Sequence, residues 1–351
     1  MVRQQFLTGT PLFKLLKILI GRRISRKYFS DVKRIVSVSI ISTFFSGFDY
    51  FLYRRRIENT RIIGSPIFII GHWRSGTTYL QKLVSQDQQF FTPTFYQCAL
   101  PQGFLSAEKY IKQAMQKTLP ATRIFDSMLF SVDEPFDDEF AMLKLTTTSR
   151  MLHFAFPSKA SFNEQPKTDT EKWSILFGWF SKKLTYASGK RLLFKSPMNT
   201  MRIKEIIQLF PEAKFIYIHR KPEDVFVSSL YQAEKLFEHN KLSETTYDSR
   251  EYIICRYKNI FSSYKEHKKI IPKSQIIEVA FESLETSPLE VIRKVYAELK
   301  INGFEQALPN ISRYIESTRG YKKNKFKITK EDRGIVKKEW SAAYDCFGYK
   351  N

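Results

Sequence analysis

One segment, SPIFIIGHWRSGTTYLQKL, constrains the fold of this chain more than any other. An apolar run over Ile67 to Ile70 enters a turn from Gly71 to Gly76, and a helical pattern follows at once from Thr77 to Ser85. A strand passing into a helix through a glycine-bounded turn belongs to α/β architecture with a parallel sheet. The same turn is a cradle for an anion. Gly76 lets the backbone come close, the open N–H groups of the helix N-terminus point at the ligand, and the hydroxyls of Ser75, Thr77 and Thr78 add donors. The Gly71-to-Gly76 spacing equals that of a nucleotide-binding P-loop. Thr77, however, stands where the P-loop lysine would reach the terminal phosphates, and Arg74 supplies positive charge from inside the loop, which disfavours ATP hydrolysis.

Downstream, short apolar runs alternate with helical patterns. Strands are predicted over Arg191 to Lys195, Phe215 to His219 and Ile276 to Phe281. The helix after the first of these carries Ile203, Ile206, Ile207 and Phe210 on one face and stops at Pro211, and Ser287-Pro288 reads as an N-cap with a first-turn proline. Thr92 to Lys183 reads as mainly helical and irregular. The expected fold is a P-loop-like parallel sheet flanked by helices over residues 62–351.

Residues 1–61 differ in character. They hold 13 Lys and Arg against 3 acids, so +10 of the chain's formal +22 sits in its first sixth. Lys14 and Lys17 interrupt the run from Pro11, giving an amphipathic helix in place of a signal-peptide core. The run from Ile35 to Tyr53 has a length near the lower limit for crossing a bilayer but contains Ser37, Ser39, Ser42, Ser46 and Asp49. A helix buried against the domain is the preferred reading, surface docking on a membrane the second, and a spanning helix the last. Three separate cysteines, Cys98, Cys255 and Cys346, support neither a disulfide framework nor a zinc cluster and fit a reducing compartment. The expected location is cytoplasmic, either free or peripheral to the inner membrane.

A second phosphate motif is FIYIHRKPEDVFVSSLY. Arg220 stands at a strand end and Ser228 on the helix opened by Pro222, so a guanidinium fork and a hydroxyl can grip one phosphate. Ser229 points about 100° away around the helix and is the weaker candidate. The string RSGTT behind an apolar strand resembles the 5′-phosphosulfate loop of sulfotransferases that use 3′-phosphoadenosine 5′-phosphosulfate (PAPS). The pairing of Arg220 with Ser228 resembles their 3′-phosphate site. RLLFKSPMNTMRI resembles the K-(S/N/D)-P element of tyrosylprotein and related bacterial members, in which the lysine, here Lys195, contacts the bridging oxygen. VDEPFDDEFAML resembles the P-x-E-D-E-F element of bacterial members, with Asp137 in place of the first Glu.

The resemblance implies sulfuryl transfer from PAPS to an acceptor hydroxyl by in-line displacement, without a metal. Arg74, Ser75, Gly76, Thr77 and Thr78 would hold the phosphosulfate, Arg220 and Ser228 the 3′-phosphate, and Lys195 with Arg74 would stabilise charge on the leaving oxygen. Glu139, and after it Asp138, is the expected base, while the neighbouring acids would favour a helix N-terminus. His72 would touch the phosphosulfate or the acceptor, and His219 would be a packed residue. Lys322 and Lys323 would be solvated tail charges or would help hold the nucleotide or a polyanionic acceptor. The expected partners are the nucleotide and a carbohydrate, lipid or small-alcohol acceptor, with peripheral membrane contact as an option and no nucleic acid. Two rivals remain at this level: a P-loop-type nucleotide kinase, and a non-catalytic basic protein binding nucleic acid or anionic lipid.

Overall fold

The computed structural model describes residues 5–126, 128–157, 170–321, 324 and 326–349. They form two compact units: one of residues up to Ile62 with Pro93–Gly189 and Ala233–Ser249, the other of Ile63–Thr92, Lys190–Gln232 and the chain from Arg250.

The second unit contains a five-stranded parallel sheet. Its strands are β1 (Ile67–Gly71), β2 (Phe90–Phe91), β3 (Arg191–Lys195), β4 (Lys214–His219) and β5 (Ile276–Ala280), in the order β2-β3-β1-β4-β5. β1 is buried at every position, which is why it reads as a continuous apolar run and not as an alternation. Ile69 lies beside Lys195, and Gly71 beside Ile218. The carboxyl ends of β1, β3 and β4 are therefore level, with β3 on one side of β1 and β4 on the other. Open α/β sheets bind ligands at such a reversal of strand order. Leu80 and Leu83 of helix α3 (Thr77–Val84), together with Ile292 and Val295, pack on Ile67 and Ile216 to close the core. The helix Pro288–Glu298 does begin with its proline, but the Ser287 side chain makes no capping bond. β2 is a strand that the sequence pattern does not predict.

The first unit is helical apart from irregular segments. α1 (Leu12–Leu19) and the 30-residue α2 (Phe29–Glu58) contain the basic N-terminal region. Only one stripe of α2 is buried: Ile35, Ser39, Ser42, Asp49 and Ile57. Asp49 explains this orientation. Its carboxylate accepts from Lys183 Nζ at 2.6 Å and from the backbone N–H groups of Leu105 and Ser106 at 3.1 and 2.7 Å. The Lys183 ammonium also donates to the carbonyls of Pro101 and Gln102. A buried charge needs such partners, so this network fixes α2 against the helix Thr170–Ser188 by its polar side.

Candidate active site

The loop after β1 owes its shape to two glycines. A Cβ on Gly71 (φ +141°) would lie 2.3 Å from the Ile218 carbonyl oxygen, and one on Gly76 (φ +97°) would lie 2.2 Å from the Phe281 ring. Between them Arg74 also takes a left-handed backbone, φ +68°, a conformation uncommon for a residue with a side chain. Thr200 braces the loop: its hydroxyl accepts from Gly71 N–H at 2.9 Å and donates to the Gly71 carbonyl at 3.1 Å. The Ser75 hydroxyl donates to the His72 carbonyl at 2.6 Å, so its proton is turned into the loop. No side chain caps α3, whose first N–H groups have no intrahelical partner. Thr77 is buried and Thr78 half-buried at this helix start.

The two predicted phosphate elements come together. Arg74 Nε donates to Ser228 Oγ at 2.9 Å, and Arg220 Nη1 donates to the Arg74 carbonyl at 3.3 Å. Arg220 Nη2 reaches Asp224 at 3.3 Å, and its guanidinium lies 4.6 Å from the Phe281 ring centroid. Arg220 Nε has no hydrogen-bond partner among the described residues. Two guanidinium groups in one hydrogen-bonded chain, beside an uncapped helix N-terminus, make a locally positive field suited to a multiply charged anion. The residues present thus fit a nucleotide bearing phosphates. Ser229 is fully buried, and its hydroxyl has no hydrogen-bond partner among the described residues.

Lys195 ends β3 and is buried. The next two residues explain the K-S-P order. Ser196 caps a 3₁₀ turn, Pro197–Met201, by accepting from Met198 N–H at 3.2 Å, and Pro197 takes the first position, where its missing N–H costs nothing. The turn thus starts immediately after the lysine and carries Thr200 to Gly71.

His72 is buried with Nδ1 2.7 Å from the Trp73 carbonyl, which assigns the proton to Nδ1. Burial, reinforced by the nearby Arg256 charge, holds its pKa well below the usual histidine value. Arg256 is buried too, its guanidinium 4.6 Å from the Trp73 ring centroid, and its Nε and Nη2 have no hydrogen-bond partner among the described residues. His219 stacks on Phe347 at 4.0 Å and pairs through Nδ1 with the Tyr349 hydroxyl at 2.7 Å; burial pulls it down to about 4.

The acidic segment lies in the other unit, and its members have separate tasks. Asp133 pairs with Lys112 at 2.7 Å in an exposed position, and Asp137 accepts from the Glu139 N–H at 3.0 Å at the start of the helix Glu139–Thr146. Asp138 and Glu139 are both buried, and Ser149 Oγ donates to Glu139 Oε1 at 2.5 Å. Lys322 and Lys323 lie outside the described residues.

Three residues around the loop escape sequence reasoning. Thr200 had a signal, a hydroxyl in the turn directly after the Lys195 strand. Phe281 had a weaker one, as the residue ending the late apolar run. Arg256 had none, because a single arginine in a mixed helix reads as a solvated face.

The fold and the loop define an α/β protein with a positively charged anion cradle at the carboxyl edge of its sheet. The model of the sulfotransferase family matches residues 66–306, and the chain belongs to that family: it is a sulfotransferase. It is similar to the omega-hydroxy-beta-dihydromenaquinone-9 sulfotransferase Stf3 of Mycobacterium bovis, with 28% identity over 320 residues, 89% of this chain and 82% of that protein. Sulfotransferase STF9 from Mycobacterium avium has the same fold, with a TM-score of 0.72 at 12% identity over 100% of this chain and 93% of that one. STF1 from Mycobacterium tuberculosis follows with a TM-score of 0.63 at 15% identity, covering 94% and 90%. The kinase and non-catalytic rivals therefore fall away.

Proposed function

We propose that the sulfuryl donor is PAPS and that the acceptor is the hydroxyl of a long-chain lipid alcohol of the hydroxylated isoprenoid-quinone type. The observation carrying the donor assignment is the bond from Arg74 to Ser228, with Arg220 on the Arg74 carbonyl. It makes the 5′ loop and the 3′ grip one continuous surface, suited to a nucleotide phosphorylated at both ends. The acceptor class is supported by the name of the relative Stf3 and by the apolar N-terminal region, and the reaction would then run at the cytoplasmic face of a membrane.

The donor, when bound, supplies a sulfuryl group on a good leaving phosphate. Arg74 and the N–H groups from Gly76 to Thr78 hold the 5′ end, with Ser75 shaping the loop, and Arg220 and Ser228 hold the 3′-phosphate. Lys195 neutralises the oxygen that gains charge as the bond to sulfur breaks. Glu139, or Asp138 beside it, takes the proton of the acceptor hydroxyl as the oxygen–sulfur bond forms.

The test is calorimetric titration with 3′-phosphoadenosine 5′-phosphate (PAP) beside ATP and 5′-AMP, without magnesium. PAP should bind far more tightly than either, and Arg220→Ala should cost PAP roughly 10- to 100-fold, the value of a charge-assisted contact, while leaving 5′-AMP unchanged. No preference for the 3′-phosphate would overturn the donor assignment. Turnover of labelled PAPS on carbohydrates but not on hydroxylated prenyl quinones would overturn the acceptor.

A further inference from the structure

α2 is assembled inside out. The residues it turns toward the rest of its unit are Ser39, Ser42 and Asp49 in the middle with Ile35 and Ile57 toward the ends, whereas Ile40, Ile41, Phe44, Phe48, Phe51 and Leu52 face outward. A helix on a water-facing protein surface has the opposite arrangement. The exposure is large: Phe51 is 88% and Phe44 60% exposed. α1 adds Phe13 and Leu16, and Ile20 follows directly after it, all three exposed. It is fastened to the middle of α2, where the Leu12 N–H donates to Thr43 Oγ1 at 2.7 Å and the Ser42 hydroxyl donates to the Gly9 carbonyl at 2.6 Å. Of the 17 large apolar side chains exposed among the described residues, 11 lie between Phe13 and Leu52, so they are concentrated in this segment of the chain and not scattered singly.

Cations frame it. Arg22, Arg23, Arg26, Lys27 and Lys33 are exposed before the apolar stripe of α2, and Arg54, Arg55 and Arg56 are exposed after it. An apolar face bounded by arginine and lysine suits a bilayer interface whose headgroups are anionic.

We propose that α1 and α2 form a docking surface for an anionic lipid bilayer, with α2 lying along the membrane and not through it. By length and composition α2 could cross a bilayer. The Asp49–Lys183 pair prevents this, because the carboxylate at the centre of the polar stripe is held by Lys183 and by two backbone N–H groups of its own unit. Spanning would strip that pair and place Asp49 in hydrocarbon. The surface is independent of which donor or acceptor the enzyme uses.

Flotation of the full chain with vesicles tests the proposal, using phosphatidylcholine alone and phosphatidylcholine mixed with phosphatidylglycerol. The protein should float with the anionic vesicles. Phe48→Ser with Phe51→Ser should lower the partition about tenfold for each ring removed, and Arg22→Glu with Arg23→Glu should abolish the preference for phosphatidylglycerol. Both variants replace exposed side chains, and far-UV circular dichroism checks that they fold. Absence of flotation, or flotation indifferent to the two phenylalanines, would overturn the proposal. So would resistance to alkaline carbonate extraction, the mark of a spanning helix. A dimer that the same substitutions dissociate, without vesicle binding, would assign the face to a second copy of the chain instead.

Discussion

Gly76→Ala is a sharp test of the loop, because the structure supplies both terms of its cost. The residue sits at φ +97°, ψ 8°, where an L side chain costs about 1–2 kcal/mol. Its new methyl group would lie 2.2 Å from Phe281 Cδ2 and 2.8 Å from Cε2, and relieving such overpacking costs about 1–3 kcal/mol. The expected destabilisation is therefore about 2–5 kcal/mol, read by urea unfolding. Binding should suffer as well. The Phe281 ring that must move carries the Arg220 guanidinium, and a weakened cation–π contact of about 0.5–1 kcal/mol would loosen PAP by a few-fold. In a Phe281→Leu background the clash is reduced, and the stability cost of Gly76→Ala should fall toward the backbone term alone. A cost below about 0.5 kcal/mol, the range of ordinary surface changes, or the same cost in both backgrounds, would refute the account of the loop.

Lys195→Ala should reduce kcat by roughly 10²- to 10³-fold with PAP affinity little changed, since the lysine is assigned to charge that develops on the leaving oxygen; a rise in donor KM with kcat preserved would contradict that role. Asp49→Ala should destabilise the protein by about 3–5 kcal/mol, because it leaves the buried Lys183 ammonium with carbonyls and aromatic rings but no counter-charge in contact with it; a change within about 0.5 kcal/mol in urea unfolding would show that α2 is not held by this pair. His219 has its pKa lowered by burial to about 4, with Glu278 and Glu282 opposing, so the unfolded chain takes up the proton first as pH falls. Stability should be fully present above the ordinary histidine value of about 6.5 and fall by about 3 kcal/mol on acidification to pH 4. His219→Gln should flatten that slope in urea midpoints measured across the same range.

Much of the sheet was legible because its signals are local. Ile67 to Ile70, Arg191 to Lys195 and Ile276 to Phe281 are apolar runs next to turn chemistry, and each became a strand within a residue of its expected ends. Phe90–Phe91 was not legible, since two residues carry no periodicity. The anion loop and the Arg220 element could each be read, yet their contact could not: Arg74 and Ser228 are 154 residues apart, and only the parallel alignment of β1 with β4 brings them together. α2 shows a different limit. Its serines and Asp49 read as interruptions of an apolar face, whereas Ser39, Ser42 and Asp49 lie on the buried face that holds the helix to its unit. Hydropathy reports how much of a helix is apolar, but the partners of Asp49, from Leu105 to Lys183, decide which side turns inward.

The left-handed backbone at Arg74 sets two kinds of selection against each other. Glycine would occupy φ +68° without steric cost, so a library screened for thermal resistance alone should enrich Arg74→Gly. That substitution discards the guanidinium that reaches Ser228. A library screened for turnover should keep the arginine together with its strain. The loop is thus a position where the most heat-tolerant sequence and the most active one cannot be the same.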